Sequence, residues 1–119
     1  MQHKNDLGKY GEKLAVKWLE KNGFAILYRN LKFGRYEIDI VAERDERLHS
    51  FEIKTRRTTT FGYPEQSISP SKQKNIVAAS ASLLAETAFE EIQINILAIT
   101  LRHRAVEYYL IEDICGNGR

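Results

Sequence analysis

Residues 36–57 constrain the fold most, because they carry two strand patterns separated by a fully charged turn. Apolar and polar side chains alternate with a period of two in residues 37–40 and again in residues 50–54, as they do in strands with one buried face. Residues 43–47 between them are all charged and predict a short exposed turn. We therefore expect an antiparallel strand pair with one apolar face and one charged face.

The charged face of this predicted pair carries residue types that bind a hard metal ion. Its members are Glu37, Asp39, Ser50, Glu52 and Lys54, and the apolar face is predicted to carry Ile38, Ile40, Phe51 and Ile53. The carboxylates of Asp39 and Glu52 and the ammonium of Lys54 would then meet on one side of the sheet. His49 falls on the apolar side and is predicted to pack there.

The rest of the chain adds two helices and three strands to this pair. Helices are predicted over residues 6–22, with Asp6 as N-cap and Gly23 as the stop, and from the Ser69-Pro70 start to about residue 87. Strands are predicted at residues 24–29, before a loop at 30–34, and at 92–100 and 105–111, after a long loop at 58–68. The order α-β-β-β-α-β-β predicts a single α/β domain over residues 1–119.

Length and composition limit the alternatives. A chain of 119 residues with 43% hydrophobic and 29% charged residues predicts an ordinary globular domain, and a net charge of +2 is too small to identify a partner. No run approaches the roughly eighteen apolar residues of a membrane span, and residues 1–13 lack the apolar core of a signal peptide, so we expect a cytoplasmic protein. The lone Cys115 excludes an internal disulfide and a cysteine-rich zinc site.

The first predicted helix brings one acid toward the core. Glu12 lies in line with the apolar residues Ala15 and Leu19, three and seven positions later, and an inward-leaning carboxylate needs a partner. Gly8 and Gly11 each cost about 1 kcal/mol relative to alanine inside a helix. Their presence predicts that another backbone or a ligand closely approaches the start of this helix.

A divalent cation such as Mg²⁺ or Mn²⁺ would find suitable ligands on the charged face. Such ions take carboxylate oxygens, complete their shell with waters and phosphate oxygens, and activate water for attack on a phosphodiester. Asp39 and Glu52 meet this need. Glu12 and Glu37 are candidates for outer-shell or second-metal ligands, and Lys54 is placed to orient the water or stabilise the transition state. The alternative is that Glu37, Glu52 and Lys54 form cross-strand ion pairs on a solvated face, with Glu12 an acid at the helix flank.

Basic side chains flank this face. Arg56 and Arg57 directly follow the second strand, and Lys72, Gln73 and Lys74 lie in the first turn of the second helix, where backbone N–H groups favour an anion. These residues would contact the phosphates of a nucleic acid, or they would serve only solubility.

With these residues in view, the chain resembles a known family. The motifs that carry the resemblance are G-x-x-G-E at residues 8–12, Gly23, Asn30, E-I-D-I-V at 37–41, F-E-I-K-T-R at 51–56, F-G-Y-P at 61–64 and K-Q at 72–73. In register over about residues 7–99, they are similar to the YraN-like family of uncharacterised bacterial proteins, which is classed with nucleases of the PD-(D/E)xK type. Tyr36 and residues 93–95 depart from the family pattern, which usually has glycine and R-F-D there.

The resemblance implies a restriction-endonuclease-like or Holliday-junction-resolvase-like fold, with a mixed central sheet flanked by helices. It implies Asp39 and Glu52 as metal carboxylates and Lys54 as the catalytic lysine, with Glu12 as a helix acid and Glu37 as a strand acid. We therefore expect Mg²⁺-dependent hydrolysis of DNA, branched or otherwise non-duplex, by a homodimer, since two cuts on a symmetric junction suit two sites. Two alternatives stay open: a nucleic-acid-binding module that does not cut, and an interaction protein with an ion-paired sheet face.

Overall fold

A computed structural model of the protein describes residues 4–58 and 69–115. Its helices and strands follow the chain as α1 Lys4–Lys21, β1 Ala25–Phe33, β2 Tyr36–Arg44, β3 Arg47–Arg57, α2 Pro70–Ala85, β4 Ile92–Arg102 and β5 Ala105–Ile111. The predicted α/β fold class and element order are thereby confirmed. The long loop predicted at 58–68 lies, apart from Thr58, outside the described residues.

One mixed sheet organises the described residues. Its strands run in chain order from β1 to β5, and every neighbouring pair is antiparallel except β3 and β4, which are parallel. The parallel pair requires a crossover connection, and α2 lies within that connection. Ala15 and Leu19 of α1 pack into one buried apolar cluster, and Ala79 and Leu83 of α2 pack into another. The two helices therefore supply separate parts of the core.

The β2–β3 hairpin confirms the predicted antiparallel pair. Asp45 and Glu46 both adopt left-handed backbone angles, with φ of 56° and 61°, and Arg44 pairs with Arg47 across the turn. A two-residue connection of this kind matches the twist of the flanking strands. The turn is therefore shorter than the five charged residues of the pattern, because the outer charged residues already belong to the strands.

The ends of both helices follow local sequence rules. Gly23 has a φ of 89°, its N–H donates to Glu20 O, and the N–H of Phe24 donates to Leu19 O, which is the Schellman arrangement that closes an α-helix. The Ser69 side chain accepts from the Lys72 N–H at 3.2 Å as the N-cap of α2. Asp6, by contrast, lies inside α1 and is not its N-cap, since the helix begins at Lys4.

Strand β1 corrects the sequence prediction in length and in burial. It was predicted as a buried strand over residues 24–29 followed by a loop at 30–34, but it continues to Phe33 and forms an edge of the sheet. Leu27 and Tyr28 are exposed there. A short apolar run has the same appearance in a central and in an edge strand, so the sequence pattern alone did not separate the two.

The alternation of faces in β2 breaks at Asp39. Ile38 packs into the cluster with α2, whereas Ile40 packs into the cluster with α1, so the prediction that these two isoleucines share one face is wrong. In the neighbouring strand, Asn30 has a left-handed φ of 54° and lies between the pairs Arg29–Ile40 and Leu31–Ile38, opposite Asp39. Both strands are therefore irregular beside the predicted metal ligand.

Gln93 and Asn95, two of the residues that depart from the family pattern, take part in a network of amide hydrogen bonds. Asn95 is almost fully buried; its side-chain oxygen accepts from Gln93 Nε2 at 2.9 Å and from the Asp113 N–H at 3.0 Å. Its side-chain nitrogen donates to Ser50 O at 3.3 Å. Amide groups thus satisfy one another at a position where the family pattern has charged residues.

His49 packs in the core, as predicted. It is 3% exposed, meets the Phe24 ring edge-on at 5.0 Å and stacks on Phe51 at 6.1 Å between ring centroids. Burial, followed by the charges of Arg44 and Arg47, lowers the pKa of His49 from 6.5 to about 4. The ring is therefore neutral in the native state at neutral pH.

This buried imidazole predicts an acid-sensitive stability. Below pH 6.5 the unfolded chain takes up a proton that the native protein accepts only near pH 4, so the free energy of unfolding falls through that window. As the pH falls from 7 to 4, we expect the free energy of unfolding of His49→Phe to rise by about 3 kcal/mol relative to that of the wild type. Urea denaturation across that range measures the difference, in which any constant packing cost cancels. A pH-independent difference would contradict the prediction.

Within residues 4–58 and 69–115, no helix combines the length and the apolarity needed to cross a membrane.

Candidate metal centre

The carboxylate of Asp39 is fixed where β2 and β3 separate. Regular pairing of these strands ends at Ile40 and Phe51, and beyond it the Ile53 N–H donates to Asp39 Oδ2 at 2.8 Å. A side-chain oxygen thus takes a backbone donor that a strand partner would otherwise satisfy. The hydrogen bond holds the carboxylate in one orientation at the edge of the core.

Glu52 presents its carboxylate at the same opening. It lies on the central strand β3, its side chain is 10% exposed, and its Oε2 atom is 3.0 Å from Lys72 Nζ of α2. A buried carboxylate is costly unless it is paired, and Lys72 supplies that pairing. The partner therefore comes from a helix twenty positions later, not from a neighbouring strand.

A single cleft of about 710 Å³ gathers most of the predicted site residues. Three acids and three bases line it: Glu12, Asp39, Glu52, Arg56, Arg57 and Lys72. The acids come from α1, β2 and β3, and the bases from β3 and the first turn of α2. The fold therefore brings carboxylates and phosphate-binding side chains to one concave surface, as binding sites require.

The charges in this cleft disturb the titration of Asp39. Burial is the largest cause, and together with the neighbouring carboxylates of Glu52 and Glu12 it raises the pKa of Asp39 from 3.8 to about 7, despite the hydrogen bond from Ile53 and the charge of Lys72. Burial and these carboxylates disfavour the charged form of Asp39, and a cation bound beside it would offset that cost.

The donor set fits a hard divalent cation. All three acids offer carboxylate oxygens, which Mg²⁺ and Mn²⁺ prefer, and Lys72 already places a positive charge against Glu52. In the part of the chain that the structure describes, no group of three or more His, Cys, Asp or Glu residues is close enough to hold a metal by itself. Mg²⁺ needs only one or two protein carboxylates beside water and phosphate, and Asp39 and Glu52 supply two.

Glu12 finds the partner that its inward position required. Its Oε1 atom accepts from Asn30 Nδ2 at 3.1 Å and lies 3.8 Å from Arg29 of β1. These contacts tie the start of α1 to the edge strand while the residue lines the cleft. Glu12 is thus close enough to raise the pKa of Asp39, and its own charge is partly neutralised by Arg29.

Four predicted site residues lie outside the cleft lining. Lys54 is half-buried on β3, two residues after Glu52, and Glu37 is exposed on β2. Gln73 and Lys74 follow Lys72 in the first turn of α2. Glu37 still acts on the site, because its charge contributes to raising the pKa of Lys72.

Packing of α1 on β3 involves a residue that sequence reasoning missed. A Cβ atom added at Gly11 would lie 2.8 Å from Thr55 Cβ, whereas among the described residues nothing comes within 4 Å of such an atom at Gly8. The close approach is thus observed at Gly11, where a side chain makes it. At Gly8, which lines the cleft, approach by a ligand stays a prediction. Thr55 is the third residue after Glu52, and its only signal in the sequence was the glycine that faces it.

Comparison with known proteins decides the family. The sequence model of the uncharacterised protein family UPF0102 matches residues 11–112, which include all four acids and all the basic residues of the predicted site. The chain belongs to this family. The resemblance to the YraN-like family is thereby confirmed, since both names denote one family.

Bacterial UPF0102 proteins match this chain over most of its length. One from Flavobacterium psychrophilum is 35% identical over 114 residues, covering 95% of this chain and 96% of the relative. One from Chlorobaculum tepidum is 40% identical and covers 91% of this chain and 88% of the relative. A third, from Syntrophomonas wolfei, is 40% identical over 79% of this chain and 84% of the relative. The names of these relatives state a family and no activity.

Proposed function

We propose that this UPF0102 protein is a metal-dependent endonuclease that hydrolyses phosphodiester bonds in DNA. The observation that carries the proposal is the half-buried Asp39 carboxylate, with its pKa raised to about 7 beside Glu52, at the floor of a cleft that Arg56 and Arg57 also line. Two carboxylates in one cleft, next to cations suited to phosphate, match the needs of metal-assisted hydrolysis.

Each residue of the centre receives a role from its position. Asp39 and Glu52 would hold Mg²⁺ or Mn²⁺, and the bound ion would activate water and neutralise charge on the scissile phosphate. Asp39 is held for this by the Ile53 N–H. Glu12, on the opposite wall, is suited to hydrogen-bond a water of the ion's shell, while Lys54 is proposed as the lysine that orients the attacking water.

Basic side chains give the cleft its substrate preference. Arg56, Arg57 and Lys72 offer guanidinium and ammonium groups to the DNA backbone, and Gln73 and Lys74 extend this surface along the first turn of α2. We propose branched or otherwise non-duplex DNA as the substrate, cut by a homodimer in the cytoplasm. Glu37, exposed on β2, would tune the charge of Lys72 and take no part in the first coordination shell.

Cleavage of labelled DNA tests the proposed function. Branched and duplex substrates are incubated with Mg²⁺, with Mn²⁺ and with a chelator, and we expect product only with metal and more from the branched substrate. Lys54→Ala is expected to lower the rate by about 10²-fold, as loss of one transition-state contact does. Lys21→Ala, which removes an exposed lysine at the end of α1, is the matched control.

The proposal fails if purified wild-type protein gives no metal-dependent product, or if Lys54→Ala cuts as fast as Lys21→Ala. A binding module that does not cut is the second candidate, and the basic side chains of Arg56, Arg57 and Lys72 in the cleft lining favour it. It predicts DNA binding that weakens with salt and falls in Arg56→Ala and Arg57→Ala, with no product under any metal condition.

A further inference from the structure

We propose that Lys72 is a displaceable counter-cation of the metal centre: it neutralises Glu52 in the metal-free protein and leaves when a divalent cation binds. The released ammonium then faces the cleft as a phosphate contact. The inference rests on the metal-binding part of the proposed function and does not depend on whether DNA is cut.

The two partners of this ion pair differ in their freedom to move. Glu52 lies on a central strand with a side chain that is 10% exposed, whereas the Lys72 side chain is 55% exposed and reaches Oε2 from the solvent side at 3.0 Å. The Glu52 backbone is held by pairing with Ile96 of β4, and regular pairing of β3 with β2 ends one residue earlier, at Phe51. The flexible lysine stem is therefore the part that can withdraw.

Lys72 lies where the acids of the cleft come together. Its Nζ atom is 3.0 Å from Glu52 Oε2, and it lines the cleft with Asp39 and Glu12. A divalent cation held by Asp39 and Glu52 would lie in the same region, because it would use the same carboxylates. A cation bound to Glu52 would lie close to the Lys72 ammonium and repel it, so the metal and the ammonium compete for one position.

The backbone of Lys72 stays in place during such an exchange. Its N–H is bonded to the Ser69 side chain, and Pro70 fixes the first helical position, so only the side chain has to rotate. After withdrawal the ammonium remains beside Arg56 and Arg57 at the cleft. Metal binding would thus convert an internal ion pair into a third phosphate-binding cation, which favours binding of metal before substrate.

Metal affinity measured without DNA tests this exchange. We titrate metal-free protein with Mn²⁺ in a calorimeter at pH 8.5. Lys72→Gln is expected to bind Mn²⁺ roughly 5- to 20-fold more tightly than the wild type, within the usual range of coupling between two sites. Lys21→Gln, which removes the same charge from an exposed position at the end of α1, is expected to bind as the wild type does.

A second measurement uses the unaltered protein. The side-chain amine of Lys72 is followed by NMR during addition of Mg²⁺, and its resonance is expected to shift with the metal titration while that of Lys74 stays constant. Equal or weaker Mn²⁺ affinity in folded Lys72→Gln, or a Lys72 resonance that ignores Mg²⁺ while the metal binds, would overturn the inference.

Combining these measurements with the cleavage assay separates the two proposals. If the wild-type protein binds Mn²⁺ and cuts DNA, but Lys72→Gln binds Mn²⁺ with unchanged affinity, only the proposed role of Lys72 is refuted. If Lys72 responds to metal as expected but no DNA is cut, the exchange is supported and the nuclease activity is refuted. Protein that binds no Mn²⁺ or Mg²⁺ overturns the exchange, and metal-dependent cleavage is then judged from its own assay.

Discussion

Asp39→Asn is expected to abolish metal-dependent cleavage and at the same time to stabilise the metal-free protein at pH 8. Asparagine keeps an oxygen that accepts the Ile53 N–H, and it removes the charge that burial and Glu52 make costly. Loss of a metal carboxylate is expected to slow cleavage by about 10³-fold, which corresponds to about 4 kcal/mol of activation free energy.

The sign of the stability effect follows from the titration of Asp39. Its native pKa of about 7 lies above the unfolded value of 3.8, so the native protein binds more protons between those values and loses stability as pH rises through them. The variant lacks this loss. We expect the free energy of unfolding of Asp39→Asn to exceed that of the wild type by roughly 1–2 kcal/mol at pH 8, after allowance for solvent screening. Near pH 3.5 we expect no difference.

Urea denaturation in the presence of a chelator measures this difference at both pH values. Glu37→Gln removes an exposed acid from the same strand and is the control, for which we expect little change in the free energy of unfolding. A less stable Asp39→Asn at pH 8 would show that ionised Asp39 is stabilised by its surroundings, and it would remove the physical basis for a cation site.

Gly11→Ala is expected to cost about 2–3 kcal/mol of the free energy of unfolding, because the new Cβ atom would lie 2.8 Å from Thr55 Cβ and force α1 away from β3. Gly8→Ala makes the same change one turn earlier, where the added atom meets nothing within 4 Å. It is expected to stabilise the protein by up to about 1 kcal/mol, the helix propensity difference.

The same substitution at two positions of one helix is thus expected to change the free energy of unfolding in opposite directions. The midpoint of urea denaturation is measured for both variants, and stabilisation in both would mean that α1 does not contact β3 at Thr55. Because Glu12 follows Gly11 directly and lines the cleft, displacement of α1 is also expected to slow cleavage in Gly11→Ala.

The features that the sequence predicted well depend on short stretches of chain. The β2–β3 hairpin follows from a period of two on each side of a charged turn, and the end of α1 follows from Gly23, which accepts a left-handed φ. The start of α2 at Ser69 and Pro70 is equally local. Each of these elements satisfies its own backbone groups, so no distant residue was needed to predict it.

The features that the sequence did not predict depend on residues far apart in the chain. Whether β1 is central or at an edge is decided by which strand lies beside it, and the break in alternation at Asp39 lies opposite Asn30 of β1. The ion pair of Glu52 with Lys72 spans twenty positions. Charge patterning along one strand carries no information on such partners.

The sequence by itself determined the chemistry available at the site. It placed Asp39 and Glu52 on paired strands, because a hairpin fixes its own register, and it supplied Arg56 and Arg57 a few residues later. Only the tertiary structure decided how those groups titrate and which cation faces them. A pKa depends on desolvation and on charges through space, and both are set by how α1 and α2 pack against the sheet. The same packing made Lys72 the partner of Glu52 and raised the pKa of Asp39 to about 7.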